Sequence, residues 1–133
     1  MKMVNKPVYI AASLLAILSV IAVSSGGNLS VFAQGTVPVS VLPGSTTLGD
    51  KSYSPNPVEV TVGQKVVWTN DDTVMHTVTS GEMGSPDAGK AFDSGFTKLA
   101  TKGGTFEHTF AAAGEFPYHC QVHPGMVGTV VVK

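Results

Sequence analysis

Arginine is absent from this 133-residue chain, and cysteine occurs only once. Without a guanidinium there is no bidentate clamp for phosphate or carboxylate. A formal net charge of -1 leaves no basic face, which excludes a nucleic-acid partner. No apolar run keeps a helical period beyond a turn or two, which argues against a helical bundle. One cysteine also excludes the disulfide framework that small exported domains commonly use.

The N-terminus has the layout of an export signal. Lys2 and Lys6 precede an apolar stretch at 8–23, followed by Ser24, Ser25, Gly26 and Gly27 and a small-residue site at Val31-Phe32-Ala33. At 16 residues the stretch is shorter than the roughly 20 needed to span a bilayer as a helix. Residues 1–33 are therefore expected to be a signal peptide cut near Ala33-Gln34, with retention as a membrane anchor the alternative. The remaining domain, 34–133, carries six lysines against nine acids. It is expected outside the cytoplasm, in a periplasm or on the outer face of the cell membrane. A lone thiol there is a liability unless something occupies it.

Glycine and proline punctuate short alternating runs at 36–42, 58–62, 65–70, 77–79, 105–110, 115–120 and 128–133. This pattern predicts an all-β, antiparallel sandwich or barrel. Alternation sends Val66, Trp68 and Asn70 to one face, and Val58, Val60 and Val62 to another. Residues 81–103 hold Gly81, Gly84, Pro86, Gly89 and Gly95, so they are read as a covering loop anchored by Phe92 and Phe96.

The densest chemistry lies in Cys120-Gln121-Val122-His123-Pro124-Gly125-Met126. A thiolate, an imidazole and a thioether stand three residues apart, so one turn aims all three at a point. Two histidines, one cysteine and a weak axial methionine form the blue-copper electron-transfer set. Alternation turns Phe116, Tyr118 and Cys120 inward, and His119 outward. The second imidazole is His76 or His108. His76 ends a loop that begins at Asn70, whereas His108, between Phe106 and Phe110, reads as a packed structural histidine. Structural zinc sites have no thioether ligand. A binuclear copper centre needs a second cysteine, and a multicopper oxidase needs more than four histidines.

The segment 53–132 resembles the cupredoxins, small type 1 blue copper proteins, and is most similar to their plastocyanin-like and amicyanin-like members. The matching residues are Val58-Glu59-Val60 with Gly63, Val66-Val67-Trp68-Thr69-Asn70 leading to His76, Phe92-Asp93-Ser94-Gly95, and Phe110 with Gly114. They end in Tyr118-His119-Cys120-Gln121-Val122-His123-Pro124-Gly125-Met126. The resemblance implies a Greek-key β-sandwich holding one copper ion on His76, Cys120, His123 and Met126. It implies a one-electron carrier rather than an enzyme; a copper-trafficking or buffering protein with the same ligands is the rival reading. Redox-partner proteins are expected to dock near His123, Pro124 and Gly125, with Asp71 and Asp72 offering modest steering. The protein is expected to be a monomer that meets a membrane only if its N-terminal segment is kept. In one departure, Thr77 stands where family members often carry an asparagine that ties the ligand loops together.

Overall fold

Period-two alternation becomes strand wherever one face can be buried, and a computed structural model shows eight such segments. It describes residues 35–133; the expected signal segment, 1–33, lies outside the described residues. The strands are β1 (Thr36–Val41), β2 (Tyr53–Ser54), β3 (Val58–Val60), β4 (Lys65–Asn70), β5 (Thr79–Ser80), β6 (Thr105–Thr109), β7 (Gly114–His119) and β8 (Val127–Val132). Between β1 and β2 the chain makes two short 3-10 turns, Ser45–Thr47 and Gly49–Lys51.

The strands form two four-stranded sheets, ordered β2-β1-β4-β6 and β3-β8-β7-β5. Most pairings are antiparallel, but β1–β4 and β3–β8 run parallel. Parallel neighbours need a long crossover, and here the chain supplies it by changing sheets: β3, in the second sheet, separates β1 from β4. Alternation fixes which side chains face inward but says nothing of a partner's direction, so the parallel pairs were not legible in advance.

Between the sheets Val39, Val41, Val58, Val60, Val66, Val78, Val130 and Val132 are buried around an aromatic cluster. Trp68 stacks on Phe92 and Phe106 and meets Tyr118 edge-on at 5.5 Å; Tyr118 in turn meets Tyr53 at 4.7 Å. Such offset and edge contacts suit the ring quadrupoles. Two expectations need correction. Val62 lies beyond the end of β3 and is exposed. Phe92 anchors the 81–103 loop as expected, but Phe96 is 52% exposed and Leu99 is the second anchor, because the loop turns at Gly95 (φ 68°) and sends Phe96 outward.

Candidate metal centre

The loop carrying His76 is built on Asn70, the buried last residue of β4. Its side-chain amide donates to the carbonyls of Val74 and Leu99, both at 2.9 Å, and its Oδ1 accepts the N–H of Asp72 at 2.8 Å. Its backbone N–H donates to Gly104 and its carbonyl accepts from Gly103. A short polar side chain replaces absent strand partners here and curls the chain into a turn. Leu99 accepts a second bond, from the backbone N–H of His76 at 3.1 Å. The covering loop is therefore also the strut under His76. The strand expected at 77–79 begins later, at Thr79, since the His76 N–H goes to Leu99, the Thr77 N–H to Cys120 Sγ and the Val78 N–H to the Ser94 hydroxyl.

The His76 ring is buried and lies between two different partners. Its Nε2 is 2.8 Å from Asp72 Oδ2 and 3.3 Å from the Ser45 hydroxyl; its Nδ1 faces Cys120 Sγ at 3.9 Å. An ionised carboxylate only accepts, so Nε2 carries the proton and Nδ1 presents its lone pair to the sulfur side. Burial disfavours the His76 cation, but Cys120 and Asp72 outweigh it and raise its pKa. Burial likewise opposes the Asp72 charge, yet bonds from His76, Gly44 N–H and Thr73 N–H bring its pKa down to about 2.

Cys120 follows β7 directly and points into the sandwich, as alternation predicted. Its sulfur accepts the Thr77 N–H at 3.4 Å and lies 3.4 Å from His123 Nδ1. Burial would raise the thiol, but the facing His76 ring, the Thr77 and Val122 N–H groups and His123 lower it to about 6. The turn after it closes on itself: Cys120 N–H donates to the Met126 carbonyl at 3.1 Å, and Met126 N–H to the His123 carbonyl at 3.2 Å. Gly125 takes φ 92° in that turn, a conformation that favours glycine. Met126 is buried beneath the turn, while Pro124 and Gly125 face solvent.

His76, Cys120 and His123 thus offer ligand atoms within 4.8 Å of one another, and their rings and sulfur converge from two different loops. Asp72, the nearest carboxylate, is engaged with the far side of His76. One soft thiolate, already acidified, and two imidazoles suit copper far better than calcium or magnesium, which want oxygen ligands.

The other histidines lie apart from this cluster. His119 does leave the sheet on the opposite face, but it is buried, not at the surface: its Nδ1–H donates to the Gly81 carbonyl at 2.7 Å under the 81–103 loop. His108 packs against Phe92 and Phe110 at 5.0 and 4.8 Å. The acids expected to steer partners are drawn inward, Asp72 to His76 and Asp71 to the hydroxyl of Ser40. Reading the sequence missed Asp72 and Ser45 as companions of His76. Asp72 had a signal, an Asx-rich turn four residues before the histidine; Ser45, 31 residues away, had none.

Known proteins share both sequence and shape with this chain. The pattern of the copper binding proteins of the plastocyanin/azurin family matches residues 43–133. Chloroplastic plastocyanin B of Populus nigra is 32% identical over 109 residues, covering 78% of this chain; the chain spans only 64% of that protein. A purple cupredoxin from Nitrosopumilus maritimus superposes with a TM-score of 0.64 at 33% identity, covering 73% of this chain and 99% of the other. A reduced mutant of amicyanin gives 0.56 at 25% identity, covering 75% and 84%. Soft-donor geometry, sandwich and sequence pattern agree, and the chain belongs to the plastocyanin/azurin family of copper-binding cupredoxins.

Proposed function

We propose that the chain is an exported one-electron carrier whose copper would be held by His76, Cys120, His123 and Met126. The observation that carries this reading is the three-donor cluster, drawn from two hydrogen-bonded loops within 4.8 Å. Bound there, copper supplies a single electron step between its monovalent and divalent states. The protein's part is to hold the ligands still. Asn70 and Leu99 fix the His76 loop, the Thr77 N–H steadies the Cys120 sulfur, and the Met126 and Cys120 backbones lock the second loop. Little needs to rearrange when the charge changes, and the buried sulfur is shielded from water.

His123 is the proposed point of electron entry and exit, since it is the ligand beside exposed Pro124 and Gly125. Partner proteins would dock on that face, and the domain 34–133 would act as a monomer outside the cytoplasm. Visible and spin-resonance spectra of the copper-loaded domain, followed by voltammetry, test the reading. It requires an intense thiolate-to-copper band and a reversible one-electron wave. A protein that holds only one oxidation state and exchanges its metal rapidly would instead be a trafficking protein.

A further inference from the structure

The Asp72 carboxylate touches no predicted ligand atom, yet it is the closest polar group to the back of one. It is 6% exposed and receives bonds from His76 Nε2 at 2.8 Å, Thr73 N–H at 2.8 Å and Gly44 N–H at 3.2 Å, and a longer one from Ser45. The Ser45 hydroxyl stands beside the same pair, 3.3 Å from His76 Nε2 and 3.5 Å from Asp72 Oδ2. Among the described residues no lysine is paired with it, so these donors balance its negative charge. An unpaired buried charge is costly, and the fold retains it against the imidazole.

We propose that Asp72 is a positioning residue for the metal centre: by accepting the Nε2 proton of His76 it fixes which ring nitrogen faces the metal, strengthens that nitrogen as a donor, and biases the centre toward its oxidised state. The proposal rests on the copper site described above and adds to it a determinant of potential. Its chemistry follows from two effects. A carboxylate behind an imidazole raises the ligand's basicity and holds its orientation. A buried negative charge also favours the more highly charged metal ion, because screening is weak away from water. Both effects lower the reduction potential.

Asparagine at this position is a sharp probe. It can keep Oδ1 for the Gly44 and Thr73 N–H groups, but it then turns an N–H toward the Nε2–H of His76, donor against donor. Asp72→Asn in the full copper-loaded protein should retain the thiolate band while its preference for the oxidised ion falls about tenfold, a rise in potential of about 59 mV. Ser45→Ala, which leaves the carboxylate in place, should change that preference less than twofold. An unchanged potential in an Asp72→Asn protein that still shows the band overturns the proposal. Should that variant fail to fold, the Nε2 proton of His76 in the copper(I) wild type decides. A slowly exchanging, strongly downfield resonance supports the bond, and rapid exchange with solvent refutes it. Wild-type protein that takes up no copper sinks the copper reading itself, a different failure from a variant matching the wild type.

Discussion

The backbone N–H of Gln121 donates to the hydroxyl of Thr77 at 2.8 Å, joining the residue after Cys120 to the residue after His76. Around this bond runs a chain with a fixed direction. Thr79 Oγ1 lies 3.0 Å from Thr77 Oγ1, accepts from the Gln121 side-chain amide at 3.0 Å, and donates to Asp93 at 3.0 Å. Since Thr79 gives its one proton to a carboxylate, Thr77 must donate to Thr79, leaving its lone pairs for Gln121. Two hydroxyls, an amide and an acid thus do the tying for which the family often uses one asparagine. With Thr77 the two ligand loops are still joined.

Removing that acceptor should be costly. Thr77→Val leaves the Gln121 N–H without its partner at a half-buried position, with an expected loss of about 1–3 kcal/mol. Thr77→Ser should lose far less. Denaturant melts of the metal-free domain measure both, and a larger loss in Thr77→Ser than in Thr77→Val would show that the methyl group, not the hydroxyl, matters.

Colour should follow the thiolate. Cys120→Ser should abolish the intense visible band, because a hydroxyl is a harder and poorer donor, and His76→Gln should remove or radically shift it. His108→Gln should leave the spectrum nearly unchanged, as that ring packs against Phe92 and Phe110. Absorption spectra of the copper-loaded variants test the assignment; a persistent band in Cys120→Ser would sink it.

His108 should instead appear in the pH dependence of stability. Burial lowers its pKa from 6.5, so below that value the unfolded chain takes up a proton that the folded protein resists. Stability is then present in full above pH 6.5 and is lost as pH falls toward the depressed folded value. His108→Gln should flatten that slope. Denaturation midpoints at pH 7.5 and pH 5, compared between wild type and variant, isolate the contribution from other groups.

Docking can be probed on the exposed turn. Gly125 is a poor place for a side chain despite the open space around it, because φ 92° would strain any L-residue. Pro124→Glu is cleaner, and should slow electron exchange with a partner well beyond any change in the visible spectrum. Added salt should slow the wild type only moderately, since the turn 122–127 itself carries no charged residue. Stopped-flow exchange rates across a salt series read both, and an unaffected Pro124→Glu rate would place electron exit on another face.

Much of this was legible because strand alternation is a local rule. It turned Cys120, Tyr118 and Trp68 inward, and the short spacing to His123 and Met126 needed only one turn. His76 was harder: its meeting with Cys120 spans 44 positions, and its choice over His108 leaned on a resemblance. What escaped was contact between distant loops. Nothing local marks Leu99 as an acceptor for both Asn70 and His76, or Ser45 as a neighbour of Asp72. Asp72 looked like a solvated acid because sequence shows its charge and not the turn that buries it.

The bond between Asp72 and His76 has a mechanical side. Gly44 and Asp72 extend from β1 and β4 of the first sheet, whereas Cys120 extends from β7 of the second. A metal joining His76 to Cys120 would therefore work as a removable rivet across one end of the sandwich, closing a loop 44 positions long. Closing a loop of that size restrains the opened chain, by an amount that grows slowly with loop length. Loading would set how firmly the two layers are pinned at that end, so the emptied protein should open there first and be cut there first by a protease.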